Sequence, residues 1–141
     1  MDIRQITPVY HVSEQITPEE VRSLPALGFT RVICNRPDAE VGPGLLCDEV
    51  AAAAREAGLD FAALPLTNQT MTPDNIARQA ELIAESDGKV LAYCRSGTRC
   101  SVVWALSQAG TMPVDEILTH TANAGYQLEE LRPTLEALAN R

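Results

Sequence analysis

Val90-Leu91-Ala92-Tyr93-Cys94-Arg95-Ser96-Gly97-Thr98-Arg99-Cys100-Ser101 joins an apolar strand to the apolar helix Val102 to Ala109 through a short loop of small residues and arginines. A thiol at this junction faces a helix N-terminus, where free backbone N–H groups and the helix dipole favour negative charge. The same geometry binds anions. Gly97 permits the tight turn that aims N–H groups inward. Ser96 and Thr98 are small donors, and Arg99 can fork onto two oxygens. Ser101, in the first helical turn, is placed to hydrogen-bond the thiolate. Surroundings of this kind bring a thiol pKa from about 8.5 into the range of about 3.5–7.5. Cys94 is therefore the candidate nucleophile, with Arg99 as its catalytic partner. Arg95, Ser96, Gly97, Thr98, Cys100 and Ser101 form the candidate anion-binding loop. A buried structural cysteine at a strand end is the plainer alternative, but it leaves the surrounding Arg-Ser-Gly-Thr-Arg without a purpose.

The charge distribution agrees with this reading. The 141 residues carry a formal net charge of −8, which argues against a nucleic-acid partner. Yet no acidic residue occurs from Gly88 to Val114, where Lys89, Arg95 and Arg99 lie. Buried elements exclude carboxylates anyway, but that does not account for two arginines in so short a loop.

Apolar residues make up 45% of the chain, enough for a core, and the length fits one domain over residues 1–141. Met1-Asp2-Ile3-Arg4-Gln5 lacks the pattern of a secretory signal, and no apolar run approaches the length of a membrane span. A cytoplasmic protein with no membrane partner is expected. Accordingly, the four cysteines, Cys34, Cys47, Cys94 and Cys100, are expected to be reduced thiols. The first two read as core and loop residues. Without a C-x2-C pair, and with His11 and His120 far from any cysteine, no metal site is expected. No organic cofactor is implied either. The oligomeric state is not legible.

Strand and helix signals alternate. Short strands are expected between Ile3 and Val12, broken at Pro8. Thr17-Pro18-Glu19-Glu20 is a capping box that opens a helix running to Gly28. Strands follow at Thr30 to Asn35, Asp60 to Leu66 and Val90 to Tyr93. Helices are expected over Leu46 to Ala57, from Thr72-Pro73-Asp74 onward, from Pro113 to about Asn123, and over Gln127 to Asn140, the last broken or kinked at Pro133. This order gives an α/β fold with a mainly parallel central sheet of about four to five strands, covered by helices on both faces. Ligands bind such sheets beyond the carboxyl ends of the strands. The loops Arg36 to Glu40, Thr67 to Met71 and Cys94 to Thr98 should converge there. Arg36, Asp38 and Asn68 are accessory candidates on this ground.

Cys-Arg-Ser-Gly-x-Arg resembles the rhodanese active loop, with six residues from cysteine to arginine. Protein tyrosine phosphatases use seven, and here Cys100 occupies the place of their arginine. Elsewhere the chain is similar to phosphatases. Arg31-Val32-Ile33-Cys34-Asn35-Arg36-Pro37-Asp38-Ala39-Glu40 resembles a segment of dual-specificity-like phosphatases. Ala63-Leu64-Pro65-Leu66 with the following polar loop and Thr72-Pro73 resembles the segment carrying their general acid. Nearly the whole chain resembles the phosphatase-like domain family associated with bacterial beta-lactamase-hydrolase-like proteins. That resemblance implies a tyrosine/dual-specificity-phosphatase-like fold.

Within this resemblance Thr67-Asn68-Gln69 supplies no aspartate, although general acid help is worth about 10²–10⁴ in rate. Asp38 and Asp74 are the nearest substitutes. A persulfide needs less room than a phosphoryl group and no strong acid, because sulfite or a thiolate leaves readily. These points favour a sulfurtransferase that takes sulfane sulfur from a small anionic donor onto Cys94. The alternatives are a phosphatase that acts on a phosphorylated substrate through phosphocysteine and a catalytically silent binding or redox module. In a redox role Cys100 would act as a resolving thiol.

Overall fold

The computed structural model describes residues 1–140. Five strands, β1 (Ile3–Gln5), β2 (Tyr10–Ser13), β3 (Phe29–Cys34), β4 (Asp60–Ala63) and β5 (Lys89–Tyr93), form one sheet in the order β1-β2-β5-β3-β4. Only β1 is antiparallel, a hairpin partner of β2, and the other pairings are parallel. The expected mainly parallel sheet is present.

Helices α1 (Pro18–Val21), α2 (Cys47–Glu56), α3 (Pro73–Ala84), α4 (Thr98–Gln108), α5 (Val114–Asn123) and α6 (Arg132–Ala139) cover both faces. Successive strand side chains point to opposite faces. Val90, Ala92 and Cys94 accordingly pack with Trp104, Ile117 and Leu135 on one side. Leu91 and Tyr93 pack with Val21, Val50 and Ala54 on the other.

Several boundaries differ from the sequence reading. The first helix stops at Val21, and a short 3-10 turn, Pro25–Leu27, carries the chain to Gly28. Pro25 has no N–H with which to continue the helix. β4 ends at Ala63, although Leu64 and Leu66 still donate to the Cys34 and Asn35 carbonyls. Pro133 stands in the first turn of α6 and begins that helix instead of kinking it. α4 starts at Thr98, so its first turn contains Arg99, Cys100 and Ser101.

The cysteines also depart from expectation. Cys34 and Cys47 form a disulfide, while Cys94 and Cys100 are free and buried. The bridge ties the end of β3 to the start of α2. His120 is half-buried and packs edge-on against Trp104 at 5.7 Å.

Candidate active site

Cys94 leaves β5 and is only 1% exposed. Gly97 follows with φ +90°, a left-handed conformation that suits glycine, and serves as the N-cap of α4. This turn brings the Gly97 N–H to the Cys94 sulfur at 3.1 Å. The Cys94 thiol is held down at about 5. The largest cause is a hydrogen bond from the Cys100 thiol, opposed by burial and joined by the N–H groups of Cys100, Ser96 and Gly97. The cost of burial, which favours the neutral thiol, is thus outweighed by donors aimed at the sulfur. Cys100 moves the opposite way: its own burial, then its neighbour Cys94, pushes its thiol well up. It therefore stays protonated as a donor.

Arg99 projects from the first turn of α4 toward the other two loops. Its Nη2 donates to Glu40 Oε1 at 2.6 Å and its Nη1 to Glu40 Oε2 at 2.8 Å. Nη1 also donates to the Leu66 carbonyl at 2.8 Å. The pair holds the Glu40 carboxyl below the usual range, chiefly through the hydrogen bond from Arg99. The Nε–H edge of Arg99 has no partner among the described residues. A cleft of about 290 Å³ opens between Arg99, Glu40, Thr67, Asn68 and Gln69. The three loops expected to meet beyond the strand ends do meet, and Arg99 is the residue that joins them.

Other sequence candidates are placed less directly. Arg36 lies one step back, donating from Nε to Glu40 Oε1 at 3.3 Å, from Nη2 to the Glu40 carbonyl at 3.1 Å and from Nη1 to Gln15 at 3.1 Å. It braces Glu40. Asp38 Oδ1 accepts the Cys47 N–H at 2.8 Å, so its carboxylate caps α2. Asp74 sits exposed in the first turn of α3. Neither aspartate lines the cleft beside Arg99. Asn68 is exposed on the rim of the cleft. The Ser101 hydroxyl donates to the Gly97 carbonyl at 2.9 Å, which corrects the expectation that it would bond the sulfur. The Ser96 and Thr98 hydroxyls bond each other at 2.9 Å on the outside of the loop. Arg95 is exposed.

Several positions went unmarked in the sequence. Glu40 was one, although it stands four residues after Arg36, a spacing that could have flagged an ion pair. Tyr126, just beyond α5, donates from its hydroxyl to the Ser96 carbonyl at 2.9 Å. A Cβ on Gly97 would strike that hydroxyl. Beneath the loop, fully buried Asn35 and Gln79 exchange two hydrogen bonds, at 2.9 and 3.1 Å. Gln79 also donates to the Tyr10 hydroxyl at 3.1 Å, which in turn donates to the Cys100 carbonyl at 2.8 Å. This network carries the floor of the site from β3 through α3 to α4.

Solved structures share this architecture. A candidate phosphatase from Neisseria meningitidis superposes with a TM-score of 0.86 at 33% identity, covering 98% of this chain and 99% of that one. Tk-PTP in its active form gives 0.71 at 16% identity over 99% and 97% of the chains. Kinase associated phosphatase, with its catalytic-site cysteine replaced by serine, gives 0.74 at 11% identity over 99% and 93%. These last two show the tyrosine-phosphatase-type fold alone. Among sequences, a beta-lactamase hydrolase-like protein of Xylella fastidiosa is 34% identical over 141 residues, 99% of this chain. One from Agrobacterium fabrum is 37% identical over 89 residues, 62% of this chain. The chain spans only 33% and 20% of those two relatives' lengths. The family profile for the phosphatase-like domain of beta-lactamase hydrolase-like protein matches residues 2–111, which takes in every strand, the cysteine loop and all of α4. The chain belongs to that phosphatase-like family.

Proposed function

We propose that the chain is a phosphate monoester hydrolase acting through a phosphocysteine at Cys94, with a preference for aryl esters. The observation that carries this reading is a buried sulfur, ionised above about pH 5, facing backbone N–H groups on a phosphatase-type fold. The Cys94 thiolate attacks phosphorus, the S–P bond forms, and the P–O bond breaks with its electron pair leaving on the alcohol oxygen. Water then attacks phosphorus, the S–P bond breaks, and orthophosphate and a proton depart while the thiolate is restored. The loop N–H groups and the free Nε edge of Arg99 stabilise the equatorial oxygens, a contribution worth about 10²–10³ in rate per donor. The amides of Asn68 and Gln69, on the rim beside Arg99, are placed to orient the water.

The preference for aryl esters follows from what the rim lacks. With Asp38 capping α2 and Glu40 held ionised by Arg99, neither carboxyl group of the Arg36–Glu40 loop is free to protonate a leaving oxygen. A phenolate leaves without such help far more readily than an alkoxide.

The test is phosphate release from p-nitrophenyl phosphate and from an alkyl phosphate by the wild-type protein and Cys94→Ser. Cys94-dependent turnover of the aryl ester, with little of the alkyl ester and an acid-trapped phosphoenzyme, supports the proposal. Absence of any Cys94-dependent release overturns it.

The one-residue-shorter loop keeps a second reading in view, sulfur transfer through a Cys94 persulfide. Thiocyanate formation from thiosulfate and cyanide, lost in Cys94→Ser, would select that reading.

A further inference from the structure

A second cleft, of about 320 Å³, opens on the opposite rim of the cysteine loop, among Asp2, Arg4, Glu14, Arg95, Ser96 and Tyr126. One of its walls is internally neutralised. Arg4 donates from Nε and Nη2 to Asp2 Oδ2 at 3.1 and 3.0 Å, and from Nη1 to the Ala124 carbonyl at 2.9 Å. Its guanidinium also lies 5.7 Å from the centre of the Tyr126 ring. Tyr126 in turn is fastened to Ser96. These side chains are committed to one another.

Arg95 and Glu14 are not. Both are exposed, and neither side chain has a hydrogen-bond or ion-pair partner among the described residues. The cleft therefore offers one free guanidinium and one free carboxylate. The guanidinium belongs to the residue directly after Cys94. Arg95, Ser96 and Thr98 belong both to this cleft and to the loop that follows Cys94, so the body of a ligand whose phosphoryl group sits at Cys94 and which passes Ser96 enters the cleft that holds both charges. A second anion on that body would gain Arg95 but meet Glu14. A cation would gain Glu14 but meet Arg95. A zwitterionic head, with an ammonium and a carboxylate side by side, finds a counter-charge for each.

We infer that this cleft is a subsite for the α-amino-acid head of the substrate, and that free O-phosphotyrosine is preferred over forms with a blocked head. This rests on the aryl-phosphatase reading above and deepens it. The missing acid selects an aryl ester, and the Arg95–Glu14 pair selects an unblocked amino acid at its far end. Peptide-embedded phosphotyrosine, whose α-nitrogen and α-carbonyl are uncharged, lacks this match.

The test measures kcat/KM on the full chain for O-phosphotyrosine, its N-acetyl derivative and its carboxamide, with p-nitrophenyl phosphate as the reference. Each exposed charge contact is expected to contribute about two- to fivefold, expressed in KM. The N-acetyl compound should lose that factor through the missing ammonium, and the carboxamide through the missing carboxylate. Glu14→Gln should erase the gap between the free and N-acetyl compounds while leaving the carboxamide gap in place, a pattern that general loosening of the loop would not produce. Equal kcat/KM for all three compounds, or an N-acetyl gap that persists in Glu14→Gln, overturns the inference while the phosphatase reading stands. If p-nitrophenyl phosphate shows no Cys94-dependent turnover, the parent reading fails and this proposal falls with it.

Discussion

Glu40 grips Arg99 through both carboxylate oxygens, at 2.6 and 2.8 Å, across 59 residues of sequence. The contact fixes the guanidinium plane and leaves the Nε–H without a partner among the described residues. Glu40→Gln keeps the shape and loses the charge. Its kcat/KM for p-nitrophenyl phosphate is expected to fall about tenfold, and that of Arg99→Lys, which cannot fork, about a hundredfold. Steady-state kinetics on folded variants checks both. Wild-type rates in Arg99→Lys would remove Arg99 from the proposed chemistry.

Thiol reactivity reports the acidity of Cys94. Because its folded-state value is depressed to about 5, the thiolate dominates above that pH and is lost as pH falls through it. Alkylation by iodoacetamide should stay flat from pH 8 to pH 6 and halve near pH 5. An ordinary thiol, near 8.5, would already be slowing below pH 8. Cys100→Ala removes the largest stabilising donor, so its midpoint should move up. Cys100→Ser, which keeps an O–H donor, should restore part of the shift.

Tyr126 holds the loop from outside. Tyr126→Phe removes one hydrogen bond, at a stability cost of about 1 kcal/mol, and frees the Ser96 carbonyl. The N–H groups facing the sulfur then lose their fixed direction, and the Cys94 midpoint should rise. Gly97→Ala should do more damage, since it forces a side chain into left-handed backbone and against the Tyr126 hydroxyl. A Tyr126→Phe protein with an unchanged alkylation profile would show that the contact is decorative.

The buried amide pair is a stability element. Gln79→Leu leaves Asn35 without its side-chain partner and Tyr10 without a donor. It is expected to lower unfolding free energy by about 1–3 kcal/mol per stranded group. Urea denaturation measures the loss.

The Cys34–Cys47 bridge closes a short loop, with a sequence separation of 13. Constraint of the unfolded chain on this scale is worth about 2–4 kcal/mol. Cys47→Ser should lower stability by that amount, and dithiothreitol should lower the wild type to the same level. A wild type that dithiothreitol does not destabilise would show that the bridge contributes nothing.

The parts of this site that were legible in the sequence are the local ones. A strand that runs into Cys94, a glycine three residues on and a following apolar helix lie within one segment, so the spacing alone carries the loop. The alternation of strands and helices predicts a parallel sheet, and a parallel sheet predicts where its loops gather. What escaped depends on distant partners. Tyr126 lies 30 residues beyond the carbonyl it holds, and nothing in its neighbourhood marks it. Gln79 looks like any polar residue of an amphipathic helix until Asn35 and Tyr10 are found opposite it. The Cys34–Cys47 bridge escaped because the expectation of a cytoplasmic protein carried with it the expectation of reduced thiols, and only the fold shows that the end of β3 and the start of α2 bring these two sulfurs together.

The Cys94 sulfur draws its acidity chiefly from neutral donors, three backbone N–H groups and one thiol, aimed at an atom that is itself buried. Mobile ions do not screen such short-range contacts, whereas they do weaken charge pairs out on the rim. The Cys94 sulfur should therefore remain ionised in fresh water and in brine alike, and ionic strength becomes a dial that alters how ligands dock without touching the thiolate.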